Sequence, residues 1–159
     1  MTTRCDIVLF RGHAFSDWWI RLGQSLRYGR QSGYFRFTHC GLVVTTQGDT
    51  IEATSRGVHR HTLAGRTDYV VIRVDGSEAD RRHAVAFAES CVQAHQTYGW
   101  LTIAGIALSL ATNRRLTLGI DTAKICSGLV GEALTRLGVI WPSEPESLCP
   151  ADIAAFYQV

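Results

Sequence analysis

The hydrophobic pattern changes its period once along the chain, and this change limits the possible folds more than any other feature. Before Asp75-Gly76-Ser77, the apolar residues form short β-branched runs that are typical of strands. After it, they recur at the three- and four-residue spacing of helices. Strands grouped ahead of helices favour an antiparallel sheet with helices packed against it. The sequence therefore predicts an α+β fold around a central antiparallel sheet.

Four runs are predicted to be strands: Asp6–Phe10, Thr38–Thr45, Thr50–Thr54 and Tyr69–Val74. The second and third flank the turn sequence Thr46-Gln47-Gly48-Asp49, which indicates a hairpin. A turn centred on Gln47-Gly48 would place Glu52 opposite Val43. Glu52 would then share a sheet face with His39, because strand side chains alternate between faces.

The most regular helix pattern begins at Cys126 and continues to Leu137, with Gly138 predicted as its C-terminal cap. Asp121 or Thr122 is expected to cap its N-terminus, which places Cys126 in the first turn.

Three further segments have weaker patterns. Ser16 is expected to cap a helix that runs through Leu22, and a second helix is predicted around Ala84–Val92. Ala151–Tyr157 fits either a closing helical turn or an edge strand.

The size and charge of the chain exclude several classes of protein. Its 159 residues are typical of one domain, so residues 1–159 are expected to form a single unit. The 16 basic and 14 acidic side chains give a net charge of +2, too small to predict binding of nucleic acid or anionic lipid. The apolar run Leu101–Ala111 is shorter than the roughly 20 residues of a membrane span. It is expected to be a buried helix or a surface on which a partner packs, and no stable membrane insertion is expected.

The N-terminus and the cysteines both favour synthesis in the cytoplasm. Ile7–Phe10 is too short an apolar run for a secretory signal peptide. The five cysteines lack the close C-x-x-C pairs of a zinc site, and their odd number does not suggest a disulfide framework. Cys5, Cys40, Cys91 and Cys149 are interpreted as packing residues, and strand alternation is expected to turn Cys40 away from the side of His39.

Cys126 is the strongest candidate for a chemical role. The unpaired N–H groups and the dipole of a helix N-terminus favour a thiolate, and the same donors suit the oxyanion of an acyl-transfer intermediate. The alternative is that Cys126 only fills the core, since it shares a helix face with Leu129 and Val130.

His39 is the candidate base for Cys126. It opens an apolar strand and precedes Gly41, a residue that would let the helix or a substrate approach the backbone closely. A catalytic histidine needs a third group to orient its ring, and Glu52 is the candidate for that role. A Glu52 that faces solvent remains the alternative.

These motifs, in this order, resemble the circularly permuted branch of the NlpC-type papain-like amidases and peptidases, which includes YiiX-like proteins. The similar segments cover most of the chain, and the histidine precedes the cysteine, as in permuted members. The segments are Asp6-Ile7-Val8-Leu9-Phe10, Thr38 to Val44, Ile51-Glu52-Ala53, Tyr98-Gly99-Trp100, Ile125-Cys126-Ser127-Gly128 and Cys149-Pro150-Ala151-Asp152.

The resemblance implies a papain-like fold and a cofactor-free cysteine hydrolase. Cys126 would be the nucleophile, His39 the general base and then acid, and Glu52 the orienting group. The implied substrate is a cell-wall (peptidoglycan) peptide or a related small amide, which an enzyme without a leader would reach through a phage or a secretion apparatus. Tyr98, Ser127 and Gly41 are expected to contact that substrate.

Two other functions remain open. One is acyl transfer or thioester hydrolysis on lipids, as in relatives of lecithin:retinol acyltransferase, where the histidine also precedes the cysteine. The other is a binding module without catalysis. A metal site at His59 and His61 is not predicted, because no third ligand lies at a suitable spacing.

Overall fold

The computed structural model describes residues 2–12, 15–97 and 125–159, with no side-chain description for 15–19. These ranges contain a five-stranded sheet, four α-helices and two short 3-10 helices. The strands are β1 (Ile7–Arg11), β2 (Phe37–Val43), β3 (Asp49–Thr54), β4 (Gly57–Thr62) and β5 (Tyr69–Ile72). The helices are α1 (Phe15–Tyr28), α2 (Glu78–Gln93), α3 (Cys126–Thr135) and α4 (Pro150–Tyr157), and the 3-10 helices are Tyr34–Arg36 and Pro145–Ser147.

The sheet is antiparallel throughout, with the strand order β4-β3-β2-β1-β5. The predicted α+β class with a central antiparallel sheet is confirmed. One face of the sheet, which includes Leu9, Leu42 and Ile51, forms the main core with α2, α3 and α4. The opposite face carries a smaller cluster around Val8, Val43 and Leu63.

The register of the β2–β3 hairpin differs from the prediction. Leu42 pairs with Ile51 and Val43 pairs with Thr50, so continuing the register places Glu52 opposite Gly41, not Val43. The prediction was wrong because the connection is not a two-residue turn. Residues 44–48 form the loop, which is closed by Val44 N–H donating to the Asp49 carbonyl and by a 2.9 Å hydrogen bond from Thr45 Oγ1 to Asp49 Oδ2.

Pairing between β2 and β3 is short, and this opens the sheet. Between β2 and β3, Leu42 pairs with Ile51 and Val43 pairs with Thr50. By contrast, β2 pairs with β1 along Phe37–Leu42, and β3 pairs with β4 along its whole length. Beyond Gly41, the two strands diverge. The edge of β2 at His39 and Cys40 is therefore not covered by β3.

Helix α3 begins at Cys126, so the prediction that Cys126 lies in the first turn is confirmed, but the capping residue differs. Its N-cap is Ile125, which makes no side-chain capping hydrogen bond, so the predicted cap at Asp121 or Thr122 is wrong. Both of those residues lie outside the described ranges. The helix ends at Thr135 with Arg136 as its C-cap, so the predicted end at Leu137 with a cap at Gly138 is wrong. Gly138, with a φ of 84°, instead closes the turn that follows, where its N–H donates to the Thr135 carbonyl and that of Val139 to the Leu134 carbonyl.

The other helices are longer than predicted. Ser16 lies inside α1 and does not precede it, and Ser77 caps α2 through the N–H of Asp80. The closing segment is a helix, not an edge strand, because its N-terminal groups are satisfied locally. Asp152 accepts the N–H of Cys149 at 2.7 Å, and Pro150 occupies the first helical position.

None of the helices in the described ranges is long and apolar enough to cross a membrane. The segment Leu101–Ala111, expected to be a buried helix or a partner surface, lies outside those ranges.

Candidate active site

Cys126 is the first residue of α3, and its side chain is almost completely buried, with 6 % of the residue exposed. The helix presents no side-chain cap to its own first turn. The first N–H groups of a helix have no acceptor within it, so those of Cys126, Ser127 and Gly128 lack an intrahelical partner. The sulfur therefore lies beside a concentration of backbone donors and partial positive charge.

His39 lies on β2, at the strand edge that β3 leaves uncovered, and 26 % of its side chain is exposed. Its ring Nε2 is 2.8 Å from Glu52 Oε2. The ring also stacks on Phe10, its cross-strand neighbour on β1, with 5.5 Å between ring centroids and 28° between planes. Because Nε2 hydrogen bonds with Glu52, Nδ1 is the ring nitrogen available to the Cys126 thiol.

Glu52 is buried, with 1 % of the residue exposed, so the alternative of a solvent-facing side chain is wrong. Oε1 accepts hydrogen bonds from Thr50 Oγ1 at 2.6 Å and from Arg66 Nη1 at 2.9 Å. Oε2 accepts from His39 and, at 3.1 Å, from the same Arg66 nitrogen. Although burial opposes the charge, the hydrogen bonds and positive charges of its partners lower the pKa of Glu52 to about 2.

Gly41 lets Glu52 come this close to β2. A Cβ atom built on Gly41 would lie 2.7 Å from Glu52 Cγ, a separation that real side chains do not adopt. We expected the missing side chain to make room for a helix or a substrate. In the structure, that space is taken by Glu52, so a residue predicted to contact substrate instead admits the carboxylate.

The charges of Cys126 and His39 support each other. Burial favours the neutral ring, but the negative sulfur of Cys126 and hydrogen bonds with Cys126 and Glu52 raise the pKa of His39 to about 10. In the other direction, a hydrogen bond from the Cys40 thiol, together with the charge of His39 and a hydrogen bond from it, lowers the pKa of Cys126 well below that of an ordinary thiol. Both shifts favour a thiolate paired with an imidazolium.

Cys40 is part of this site and is not only a packing residue, although alternation turns its side chain to the sheet face opposite His39, as predicted. Its thiol and its backbone both hydrogen bond with Cys126. Burial, followed by the hydrogen bond between the two thiols and the charge of Cys126, raises the pKa of Cys40 well above the ordinary value. The prediction assumed that Cys126 would lie over one face of the sheet. The sulfur instead lies at the open edge of β2, where a residue from each face can reach it.

Another predicted substrate contact, Ser127, does not present its side chain to the site. Ser127 is buried, and its hydroxyl donates a hydrogen bond to the carbonyl of Leu148. This bond connects α3 to the segment before α4. Tyr98 lies outside the described ranges. His59 contacts the carbonyl of Arg56, and residues 2–12, 15–97 and 125–159 contain no cluster of three side chains suited to a metal ion.

Sequence reasoning missed four residues of the site: Phe10, Cys40, Thr50 and Arg66. The signal for Thr50 was present, because residues two apart in a strand share a face and Thr50 precedes Glu52 by two. Arg66 had no such signal, since it reaches Glu52 from a turn beyond β4.

Comparison of the whole chain with protein-family models finds no match, and comparison with curated proteins finds no significant one. What can be inferred about this site therefore depends on its own geometry.

Proposed function

We propose that the protein is a cysteine hydrolase that cleaves an amide bond through an acyl-enzyme, with Cys126 as nucleophile, His39 as acid and base, and Glu52 as the group that orients His39. The observation that carries this proposal is the position of His39. Its ring is held on one side by a buried carboxylate at 2.8 Å and interacts on the other with a thiol at a helix N-terminus. This is the arrangement of a nucleophile, a base and an orienting group.

In the first half of the reaction, the Cys126 thiolate attacks the carbonyl carbon and forms a C–S bond. The carbonyl oxygen takes the negative charge, and the N–H groups in the first turn of α3 stabilise it. The tetrahedral intermediate then breaks its C–N bond. The proton that the leaving amine requires comes from the His39 imidazolium, which becomes neutral.

In the second half, neutral His39 removes a proton from water, and the oxygen attacks the thioester carbon. Collapse of this second intermediate breaks the C–S bond, releases a carboxylic acid and restores the thiolate beside an imidazolium. Glu52 stabilises the imidazolium at the start and at the end of the cycle, because its carboxylate accepts a hydrogen bond from Nε2–H.

The resemblance to permuted NlpC-type amidases supports a papain-like identity for this site and a small peptide substrate, such as a cell-wall peptide. The chain order also fits that branch, with the histidine strand first, then the glutamate strand, and the cysteine helix last. A net charge of +2 supplies no strong field for an anionic polymer, which agrees with a small or near-neutral substrate.

The test is the pH dependence of Cys126 alkylation by iodoacetamide, followed by peptide mass spectrometry. We expect Cys126 to react at pH values well below the ordinary thiol pKa of about 8.5, and we expect His39→Ala to remove this reactivity at low pH. Cys149→Ala is the control and should change nothing. A Cys126 that reacts only above pH 8, with or without His39, would contradict the enzyme assignment and favour a binding module.

Substrate class requires a second experiment. Cell-wall peptide fragments, acyl lipids and acyl thioesters are incubated separately with the protein and with Cys126→Ala. We expect Cys126-dependent release of an amine from the peptides. Turnover confined to the lipids or thioesters would exclude the amidase assignment and favour an acyltransferase or thioesterase.

A further inference from the structure

Arg66 reaches the site from a tight turn that follows β4. The turn runs from Leu63 to Arg66, is closed by the Arg66 N–H donating to the Leu63 carbonyl at 2.9 Å, and has Gly65 at a φ of 74°. The end of β4 pairs with the start of β3, Thr62 opposite Asp49, and from the turn that follows the Arg66 side chain extends to Glu52.

The guanidinium contacts both groups that hold His39. Its Nη1 lies 2.9 Å from Oε1 and 3.1 Å from Oε2 of Glu52, so one nitrogen bridges the two carboxylate oxygens. The guanidinium carbon lies 5.0 Å from the centre of the Phe10 ring, and Phe10 stacks on His39. Arg66 is 34 % exposed and Glu52 is 1 % exposed, so the cation covers the carboxylate on its solvent side.

We propose that Arg66 is a positioning residue for this site: its charge balances Glu52 and holds the carboxylate against His39, which leaves the imidazolium to pair with the Cys126 thiolate. The inference depends on the proposed function, since it assigns Arg66 a role in that reaction. Arg66 acts through Glu52 and does not contact the reacting atoms.

The charges explain why a cation is needed. Glu52, His39 and Cys126 alone would place two negative charges around one positive charge in a largely buried space. Arg66 makes the total zero. Removing a cation raises the proton affinity of every neighbouring acid and base, so without Arg66 the Cys126 thiolate should form only at higher pH.

Several other titratable groups lie around this centre. Cys40 contacts Cys126 from β2, and His61 lies on β4 with its Nε2 buried and without a hydrogen bond. His59 on β4 and Cys149 before α4 complete the described set. Burial lowers the pKa of His61, and the charge of Arg66 also lowers it, so removing Arg66 takes away one of the causes of this lowering.

The experiment compares three variants by the pH midpoint of Cys126 alkylation, with thermal unfolding measured alongside. Arg66→Gln removes the charge but keeps an N–H donor. Arg66→Lys keeps the charge, and its single ammonium nitrogen can bridge the carboxylate as Nη1 does. Arg60→Gln is the matched control, because Arg60 is an arginine of β4 that pairs with Glu89 and does not contact Glu52.

We expect Arg66→Gln to raise the midpoint by about one pH unit. Arg66→Lys should return it to within about 0.3 units of the original value, and Arg60→Gln should leave it unchanged. A folded Arg66→Gln with the original midpoint overturns the inference. If Arg66→Gln does not fold, Arg66→Lys decides: a midpoint raised by a full unit despite the retained charge also overturns it.

The same data separate this inference from the proposed function. If the unmodified protein has no low, His39-dependent midpoint, the proposed function fails and the role of Arg66 fails with it. If that midpoint is present and insensitive to the charge at position 66, the role of Arg66 fails and the hydrolase proposal stands.

Discussion

Two cysteines of this protein lie at helix N-termini, and the pKa values of their thiols are shifted in opposite directions from that of an ordinary thiol. Cys126 is the first residue of α3, and Cys149 is the N-cap of α4. Both are almost completely buried, at 6 % and 5 % exposed. The pKa of Cys126 is lowered well below the usual value, whereas burial and the carboxylate of Asp152 raise the pKa of Cys149 well above it.

The neighbouring side chains account for the difference. Next to Cys126 are a cationic His39 and a thiol donor, Cys40. Next to Cys149 is Asp152. Its carboxylate accepts hydrogen bonds from the Cys149 N–H, at 2.7 Å, and from the Tyr28 hydroxyl, and it forms an ion pair with Arg27 at 3.2 Å.

The comparison teaches that a helix N-terminus does not by itself make a reactive thiolate. The donors and the dipole stabilise whichever anion occupies the position. At α4, that anion is the Asp152 carboxylate, and a second negative charge on Cys149 would be repelled by it. At α3, where the N-cap Ile125 has no carboxylate to offer, the anion is the sulfur of Cys126.

The largest expected effect is the difference in reactivity between these two thiols. At pH 6, we expect Cys126 to be alkylated by iodoacetamide at least about a thousand times faster than Cys149, because the thiolate fraction of a thiol with a raised pKa is below about 0.1 %. Limited labelling followed by peptide mass spectrometry measures both rates in one sample. The two cysteines are similarly buried, so a difference in accessibility cannot hide a difference in pKa. Rates within tenfold of each other would therefore contradict the opposite pKa shifts.

Removing the cation should make Cys126 resemble Cys149. His39→Ala deletes the charge that favours the thiolate, so the pKa of Cys126 rises and its alkylation at pH 6 should fall by about a hundredfold. Part of the lowering of the Cys126 pKa should persist, because the Cys40 thiol still donates a hydrogen bond to Cys126. His59→Ala is the matched control, since His59 lies on β4 and contacts the Arg56 carbonyl. An equal fall in both variants would show that the effect is not specific to His39.

The fold class and the three residues at the centre of the site could be predicted from the sequence, because each depended on a local pattern. Hydrophobic period predicted the helices and four of the five strands, all but β4. Strand alternation together with a charged residue in a strand singled out Glu52. The detailed pairing was wrong by two positions. Thr45 and Asp49 close a longer loop than the turn signal at Gln47-Gly48 indicates, and this longer loop brings Glu52 closer to His39.

The remaining features depend on long-range arrangement and could not be predicted. The participation of Cys40 requires the divergence of β2 and β3, which no property of Cys40 itself indicates. Arg66 is one of many arginines in the chain, and only the turn at Gly65 places its charge over Glu52. The contrast between Cys126 and Cys149 is similar, because the sequence predicted a helix start at Cys126 but not at Cys149, and only the folded structure gives each its neighbour.

A smaller effect should follow from disturbing Glu52 without touching its charge. Gly41→Ala places a Cβ 2.7 Å from Glu52 Cγ and must displace the carboxylate from His39. We expect Cys126 alkylation at pH 6 to fall by about tenfold and the free energy of unfolding to fall by about 1–3 kcal/mol. Thr50→Val, which removes one hydrogen bond to Glu52 without crowding it, should have a lesser effect on both. Unchanged labelling in a folded Gly41→Ala would mean that Glu52 does not orient His39.

The smallest expected effect comes from changing the other helix. Asp152→Asn removes the negative charge beside Cys149, so the pKa of Cys149 should fall, yet burial, its largest cause, remains and keeps it above the ordinary value. Alkylation of Cys149 at pH 9 should rise only about threefold, while that of Cys126 stays the same. Loss of the charged cap should lower the free energy of unfolding by about 1 kcal/mol. If Cys149 instead became as reactive as Cys126, the helix N-terminus alone would be sufficient to form a thiolate, and His39 would not be needed to explain Cys126.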